Sequence, residues 1–243
     1  MGAPALRVGV AGAHGRLGRI ACSAIAAADD MELTAGFVRD ASDAADTLPL
    51  YDELGAFYGA GLDVVVDCTV YPVSLDVVRE AIDAGVAPVI GATGWTDEDL
   101  VSLADRCDEA GIGALLVPNF SVGAVLMMRF AAQAAKLMPH VEIVELHHDG
   151  KRDRPSGTAV LTARRIADAG GPAEVPIHSV RLPGLVAHQE TIFGGTGETL
   201  TIRHDSLSRE SFAPGILLAV RNAREQRGLI SGLDTLLFPK EPE

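Results

Sequence analysis

Over the first half of the chain, short apolar runs alternate with longer stretches of helical spacing. Leu6 to Ala11 is an apolar run with β-branched residues, and Arg16 to Ala28 is Ala- and Ile-rich with helical periodicity. Glu32 to Val38 reads as the next strand, and Asp40 to Gly61 as a short helix with loops. Leu62 to Asp67 has the composition of a buried strand, Val73 to Ala84 of an amphipathic helix, and Ala87 to Ile90 of another strand. Asp97 to Glu109 follows as a helix with Thr96 as its N-cap, and Ala114 to Val117 as a strand. Such β-α-β alternation predicts a doubly wound parallel sheet.

Beyond Asn119 the pattern changes. Val122 to Leu137 is a long Ala/Met-rich helix, Val141 to His148 alternates as a strand does, and Gly157 to Asp168 is helical. From Ile177 to Ser206 the chain is β-rich, and Pro214 to Arg224 returns to helix. This order predicts an α+β domain with a mixed or antiparallel sheet. The expected division is residues 1–119 for one domain, with 215–243 returning to it, and 120–214 for the other.

Composition narrows the function classes. The 243 residues can bury a full core, and 48% hydrophobic with 22% charged residues is ordinary for a globular enzyme. A net charge of −13 argues against a nucleic-acid surface, which needs clustered Lys and Arg. No apolar run is long enough to span a bilayer, so no membrane partner is expected. Met1 to Leu6 lead into a strand and no signal peptide is expected. Cys22, Cys68 and Cys107 are few and odd in number, and read as reduced thiols of a cytoplasmic protein.

Chemistry concentrates in two places. Gly12-Ala13-His14-Gly15-Arg16-Leu17-Gly18 follows a strand and opens a helix. Its G-x-x-G-x-x-G spacing lets backbone approach a pyrophosphate at a helix N-terminus. A glycine turn alone is a weak signal, and its position inside a β-α-β series strengthens it. At the end of the second strand stands Val38-Arg39-Asp40, where a carboxylate selects NAD and an arginine selects NADP. Val38 accepts no hydrogen bond, Arg39 can grip a 2′-phosphate and Asp40 can still reach a ribose, so the run predicts NADPH in preference to NADH, with NADH still used; a merely solvated Arg39 is the alternative. Gly91-Ala92-Thr93-Gly94 and Val117-Pro118-Asn119-Phe120-Ser121 follow strands at the carboxyl ends where such sheets bind ligands.

The second place is Glu145 to Ala159, Glu-Leu-His-His-Asp-Gly-Lys-Arg-Asp-Arg-Pro-Ser-Gly-Thr-Ala. Two imidazoles and an ammonium precede a Pro-Ser-Gly-Thr turn that opens a helix. Proton donors thus lie beside unpaired N–H groups that attract a carboxylate. Neighbouring side chains of a strand point to opposite faces, so His147 and His148 share a pocket only if the strand ends there. Adjacent histidines with no third ligand at metal spacing make zinc a weak rival, and no metal is expected. Trp95 and Phe120 read as packing groups. His140, His178, His188 and His204 read as loop or strand residues without chemistry. Arg181 and Arg203 either line a pocket or decorate strands.

Taken together, these motifs resemble the dihydrodipicolinate reductase family. Glu145 to Ala159 is similar to its E-x-H-H-x-x-K-x-D-A-P-S-G-T-A signature. Gly12 to Gly18 resembles its G-x-x-G-R-M-G loop, Gly91 to Gly94 its G-T-T-G segment, and Pro118 to Ser121 its P-N-F-S segment. The similarity extends to Gly184–Glu190 and Leu200–Ser206. It implies a Rossmann-like dinucleotide domain plus an α+β substrate and oligomerisation domain. It implies NAD(P)H-dependent reduction of 4-hydroxy-tetrahydrodipicolinate to tetrahydrodipicolinate in lysine and diaminopimelate biosynthesis, usually by a homotetramer. On this resemblance His147 donates or accepts a proton and Lys151 donates one. His148, Gly157 and Thr158 hold a dicarboxylate substrate. Gly12, Ala13, His14, Gly15, Arg16, Leu17, Arg39, Gly91, Ala92, Thr93, Val117, Pro118, Asn119 and Phe120 hold the cofactor. Gly150 stands where the family has His or Asn, Arg154 where it has Ala, and Val38 where an acid is common; the segment from Asp168 to Val175 is short. These departures leave two other readings: a paralogue that reduces another cyclic imine or keto acid, and a non-catalytic NAD(P)-sensing protein.

Overall fold

A computed structural model describes residues 4–42 and 48–239 of the chain. Its elements run β1 (Leu6–Ala11), α1 (Arg16–Ala26), β2 (Met31–Phe37), β3 (Leu50–Tyr51), α2 (Leu54–Gly59), β4 (Val64–Asp67), α3 (Val73–Asp83), β5 (Ala87–Ile90), α4 (Asp97–Ala110) and β6 (Gly113–Leu116). There follow α5 (Val122–Ala135), β7 (His140–His147), α6 (Gly157–Asp168), β8 (Ile177–Arg181), β9 (Ala187–Gly195) and β10 (Glu198–Ser206). A 3-10 turn (Arg209–Phe212), α7 (Ala213–Ala223), β11 (Gly228–Ser231) and α8 (Asp234–Leu237) close the described chain. Two compact units result: one holds the chain up to Phe120 and from Phe212 onward, the other Ser121–Ser211.

The first unit is a seven-stranded sheet of order β11-β6-β5-β4-β1-β2-β3. Every pairing is parallel, which makes it the doubly wound, Rossmann-like sheet that the alternating runs predict. Strands this short can be apolar throughout because both faces are covered: Val64, Val65 and Val66 are fully buried, as are Val89 and Ile90. Phe57, Val77 and Ala81 pack with Ala11, Ala35 and Val65 in one core cluster, while Leu103 and Cys107 join Ile90 and Ala114 in another. Thr96 caps α4 through a reciprocal capping box with Asp99, as the sequence predicts. The order in which successive strands are laid down reverses between β1 and β4, the switch point at which open α/β sheets bind ligands.

The second unit is a four-stranded sheet of order β10-β9-β7-β8. Only β7 and β8 are parallel, so the sheet is mixed. Ala131 and Ala135 of α5, with Ala159 and Ile166 of α6, pack against Val141, Ile143 and Phe193. Small helix residues let the helices sit close to the strands. On the alternate side of β7 and β9, Glu142 is exposed while Val144, Leu146 and Ile192 are only half-buried.

Several boundaries differ from the sequence reading. The strand expected from Leu62 begins at Val64, and Asp63 just before it accepts the Arg7 N–H through its carboxylate. The strand expected through His148 ends at His147, where a Lys151 N–H to His148 carbonyl bond closes a turn. β11 and α8 lie outside the sequence expectations; in β11, Gly228, Leu229 and Ile230 are half-buried and Ser231 is exposed, with no alternation to read. The weak stretch from Asp40 to Gly61 holds β3 as well as α2, and its residues 43–47 lie outside the described chain.

Candidate active site

The first cluster is made of backbone. Gly12 adopts φ +76°, and a Cβ there would lie 2.8 Å from the Cys68 carbonyl oxygen. A Cβ on Gly18, one turn into α1, would collide with the Gly12 carbonyl. Gly15 occupies the N-cap of α1 without a side-chain cap, so the helix presents its first N–H groups bare. A cavity of about 690 Å³ opens over this loop, lined by Gly12, His14 and Gly15, by Val38, Arg39 and Asp40, and by Cys68 to Val70. Such a cradle, with a bare N-terminus and no room for a Cβ, fits the pyrophosphate of a dinucleotide.

At the end of β2 the Val38 side chain is buried and Arg39 is exposed on the cavity wall. One Asp40 oxygen accepts the Ser42 N–H at 2.9 Å, and the Ser42 bonds hold its carboxyl below the usual range. Among the other sequence candidates, Ala13, Ala92, Val117 and Phe120 are buried. They shape the loops from within, and Phe120 fills the space beside Gly91. Thr93 and Pro118 are exposed, and Arg16 projects from the first turn of α1. Leu17 lies against Gly91.

Sequence reasoning missed Asp67, which ends β4 fully buried. Its Oδ1 accepts the Thr69 N–H at 2.9 Å and the Thr69 hydroxyl at 2.5 Å, and its Oδ2 accepts the Ser74 hydroxyl. Burial raises its carboxyl despite these bonds. Asp67 thereby fixes the Cys68–Val73 wall of the cavity. The signal available was an acid ending an otherwise apolar strand.

The second cluster is made of side chains. Glu145 and His147 are two apart on β7 and share a face. His147 Nδ1 lies 2.5 Å from Glu145 Oε2. Glu145 is fully buried, and its carboxylate also receives both terminal nitrogens of Arg181, each at 2.8 Å. Its Oε1 accepts the Ser156 N–H at 3.3 Å as well. Burial pushes Glu145 up, but the Arg181, Ser179 and His147 bonds outweigh it and hold the carboxyl below its ordinary value. Burial lowers His147; Glu145 opposes this, and the charges of Lys151 and Arg181 add to it. Burial and the two cations thus favour the neutral imidazole over the charged one. An ionised carboxylate only accepts, so Nδ1 carries the proton and Nε2 keeps its lone pair.

His148 follows the strand end, half-buried, so the chain turn lifts the usual alternation constraint on the two histidines. Lys151 is half-buried and its Nζ pairs with Asp153 Oδ2 at 2.8 Å. Ser156 caps α6 by accepting the Ala159 N–H at 3.2 Å. Gly157 is exposed, and a Cβ there would meet no protein atom within 4 Å. The Arg181 role on Glu145 also escaped the sequence. Among the described residues no group of three or more His, Cys, Asp or Glu is placed to hold a metal, and no helix is long and apolar enough to cross a membrane.

Comparisons with known proteins cover both units. Residues 6–120 match the family model for the dihydrodipicolinate reductase N-terminus and residues 123–237 the model for its C-terminus. A 4-hydroxy-tetrahydrodipicolinate reductase of Halalkalibacterium halodurans is 44% identical, over 97% of this chain and 98% of that one. One of Mycolicibacterium vanbaalenii is 46% identical, over 96% of this chain and 99% of that one. A dipicolinate-bound dihydrodipicolinate reductase structure from a Paenisporosarcina species superposes with TM-score 0.86 at 36% identity, covering 95% of this chain and 99% of that one.

Proposed function

This chain belongs to the dihydrodipicolinate reductase family, and we propose how its residues perform the family's reaction. It is an NAD(P)H-dependent oxidoreductase that reduces 4-hydroxy-tetrahydrodipicolinate to tetrahydrodipicolinate, a step of lysine and diaminopimelate biosynthesis. The reaction consumes one hydride and one proton and releases water. The cofactor supplies the hydride when bound. The protein must therefore supply the proton and hold a dianionic substrate.

Lys151 supplies the proton from its ammonium, leaving Asp153 to do so. His147 offers the Nε2 lone pair to the C–H proton lost when water is eliminated and returns it to the departing hydroxide, so that the Lys151 proton is the net one consumed; Glu145 fixes the His147 tautomer. His148 and the first N–H groups of α6, at Gly157 and Thr158, hold the substrate carboxylates. The Gly12–Leu17 loop cradles the cofactor phosphates, with the Gly91–Thr93 and Val117–Phe120 loops completing its site. Exposed Arg39 beside buried Val38 favours NADPH over NADH. Half-buried Val144, Leu146 and Ile192, set among ion pairs such as Arg203–Glu190 on the side of the second sheet that α5 and α6 leave open, support a homotetramer, and an NAD(P)H-consuming biosynthetic step fits the cytoplasm. The Glu145–His147–Lys151 constellation carries this reading. A sensing protein needs no buried acid to fix an imidazole tautomer.

The test is NADPH oxidation at 340 nm with substrate generated from aspartate semialdehyde and pyruvate. Turnover on this substrate, and at most trace turnover on other cyclic imines or keto acids, is expected. Preferential turnover of another imine, prompted by Gly150 and Arg154, would establish the paralogue instead.

A further inference from the structure

Arg181 sits at the end of β8, opposite His147 in the β7–β8 register, with a side chain only 2% exposed. A guanidinium has five N–H donors, and here each has an acceptor. Nε donates to the Lys151 carbonyl at 3.3 Å. Nη1 donates to Glu145 Oε2 at 2.8 Å and to the Val180 carbonyl at 2.7 Å. Nη2 donates to Glu145 Oε1 at 2.8 Å and to the Asp153 carbonyl at 2.7 Å. Four of the five bonds thus end on the segment that bears the acid–base groups. Glu145 is equally committed, with Arg181 and His147 on Oε2 and Arg181 and the Ser156 N–H on Oε1.

We propose that Arg181 is the positioning residue of this active site, setting the His147 imidazole through Glu145 and the Lys151 ammonium through the 151–153 backbone. The inference rests on the assignment of His147 and Lys151 above. The geometry has two separable parts. The fork on Glu145 aims the carboxylate at Nδ1, so that Nε2 faces outward with a lone pair. The bonds to the Lys151 and Asp153 carbonyls brace the loop on both sides of Arg152, fixing where the Lys151 side chain departs. A lysine at 181 would keep a charge but has three donors and no planar fork.

The charged groups acting on His147 are Glu145 on its own strand, Arg181 on β8 and Lys151 on the loop. Glu145 favours the imidazolium, and Arg181 and Lys151 disfavour it. Removing either partner of the pair should thus move the acidic limb of the kcat/KM profile in opposite directions. Arg181→Met should raise the pH of that limb and lower kcat/KM by roughly 10- to 100-fold. Glu145→Gln should lower the pH of the limb while also reducing kcat, since the tautomer is no longer dictated. Arg181→Lys should lose roughly tenfold in kcat with a smaller limb shift, and it carries the test if Arg181→Met does not fold. The NADPH dissociation constant should change less than about twofold throughout. Limbs that stay put, or that move the same way in both variants, overturn the proposal, as does an Arg181→Lys enzyme with normal kcat. If His147→Gln and Lys151→Ala themselves retain normal turnover, the assignment of the acid–base groups has failed rather than the role of Arg181.

Discussion

Each of the two units carries a candidate cluster at a helix N-terminus, and the two termini are prepared in opposite ways. At α1 the N-cap is Gly15, with no side chain on the terminus and glycines packed too closely for any Cβ. At α6 the N-cap is Ser156, whose hydroxyl accepts the Ala159 N–H while its own N–H is bound by buried Glu145. A bare terminus suits a ligand whose charge is spread over phosphates and whose reactive ring lies elsewhere, because backbone dipoles do not titrate. A terminus braced by Glu145 and Arg181 suits a substrate that must meet an acid in one orientation, because side chains can be aimed and their protonation set. The first site depends on the absence of side chains, the second on a chain of them.

That contrast makes the two sites breakable by different changes. Among changes at the two termini, the largest effect should come from Gly18→Val, which places a branched side chain against the Gly12 carbonyl. Overpacking of this kind costs roughly 1–3 kcal/mol. A lower Tm and at least tenfold weaker NADPH binding by fluorescence titration are expected; normal binding would show that the loop does not hold the phosphates. Gly157→Val makes the reverse case, since nothing of the protein lies within 4 Å of the new Cβ. Its Tm should be nearly unchanged while KM for the imine rises about tenfold or more, and inhibition by pyridine-2,6-dicarboxylate should weaken in parallel. An unchanged KM would remove Gly157 from the carboxylate site.

Arg39→Ala should weaken NADPH roughly tenfold or less, because an exposed guanidinium is screened by salt, and should leave NADH untouched. Equal losses for both cofactors would place Arg39 away from the 2′-phosphate. The smallest effect concerns acid stability. His147 is lowered in the folded chain, so the unfolded chain binds its proton first as pH falls below 6.5. Glu145 is also lowered, so its contribution is present above pH 4.5 and is lost as pH falls through its folded value. Both act in the same direction, and Tm should fall from pH 7 towards pH 4. Buried Asp67, whose carboxyl is raised, opposes them. His147→Gln should flatten the upper part of this fall, and an unaltered slope would show that His147 does not titrate with folding.

Sequence and structure diverge where information is non-local. The parallel sheet was legible because strands such as Val64–Asp67 and Ala87–Ile90 are buried on both faces and carry solid apolar runs. The glycine loop was legible because its chemistry is the spacing itself. Asp67 was visible as a residue but not as an organiser, since its partner Ser74 lies on the next helix. The role of Arg181 was less legible still. It depends on β7 and β8 pairing in the register that sets His147 beside Arg181, thirty-six residues from Glu145. Local patterns carry elements and loops; a buried ion pair between strands belongs to the register.

The central claim is that proton supply and cofactor binding are built separately, with Lys151 serving only the first. Lys151→Ala, assayed for kcat on freshly generated 4-hydroxy-tetrahydrodipicolinate and for NADPH affinity in the same preparation, tests it most directly. The account predicts a kcat lower by roughly two orders of magnitude or more, the usual scale for an acid–base group, with NADPH affinity unchanged. Near-normal kcat, or a loss of turnover matched by an equal loss of NADPH affinity, would contradict it.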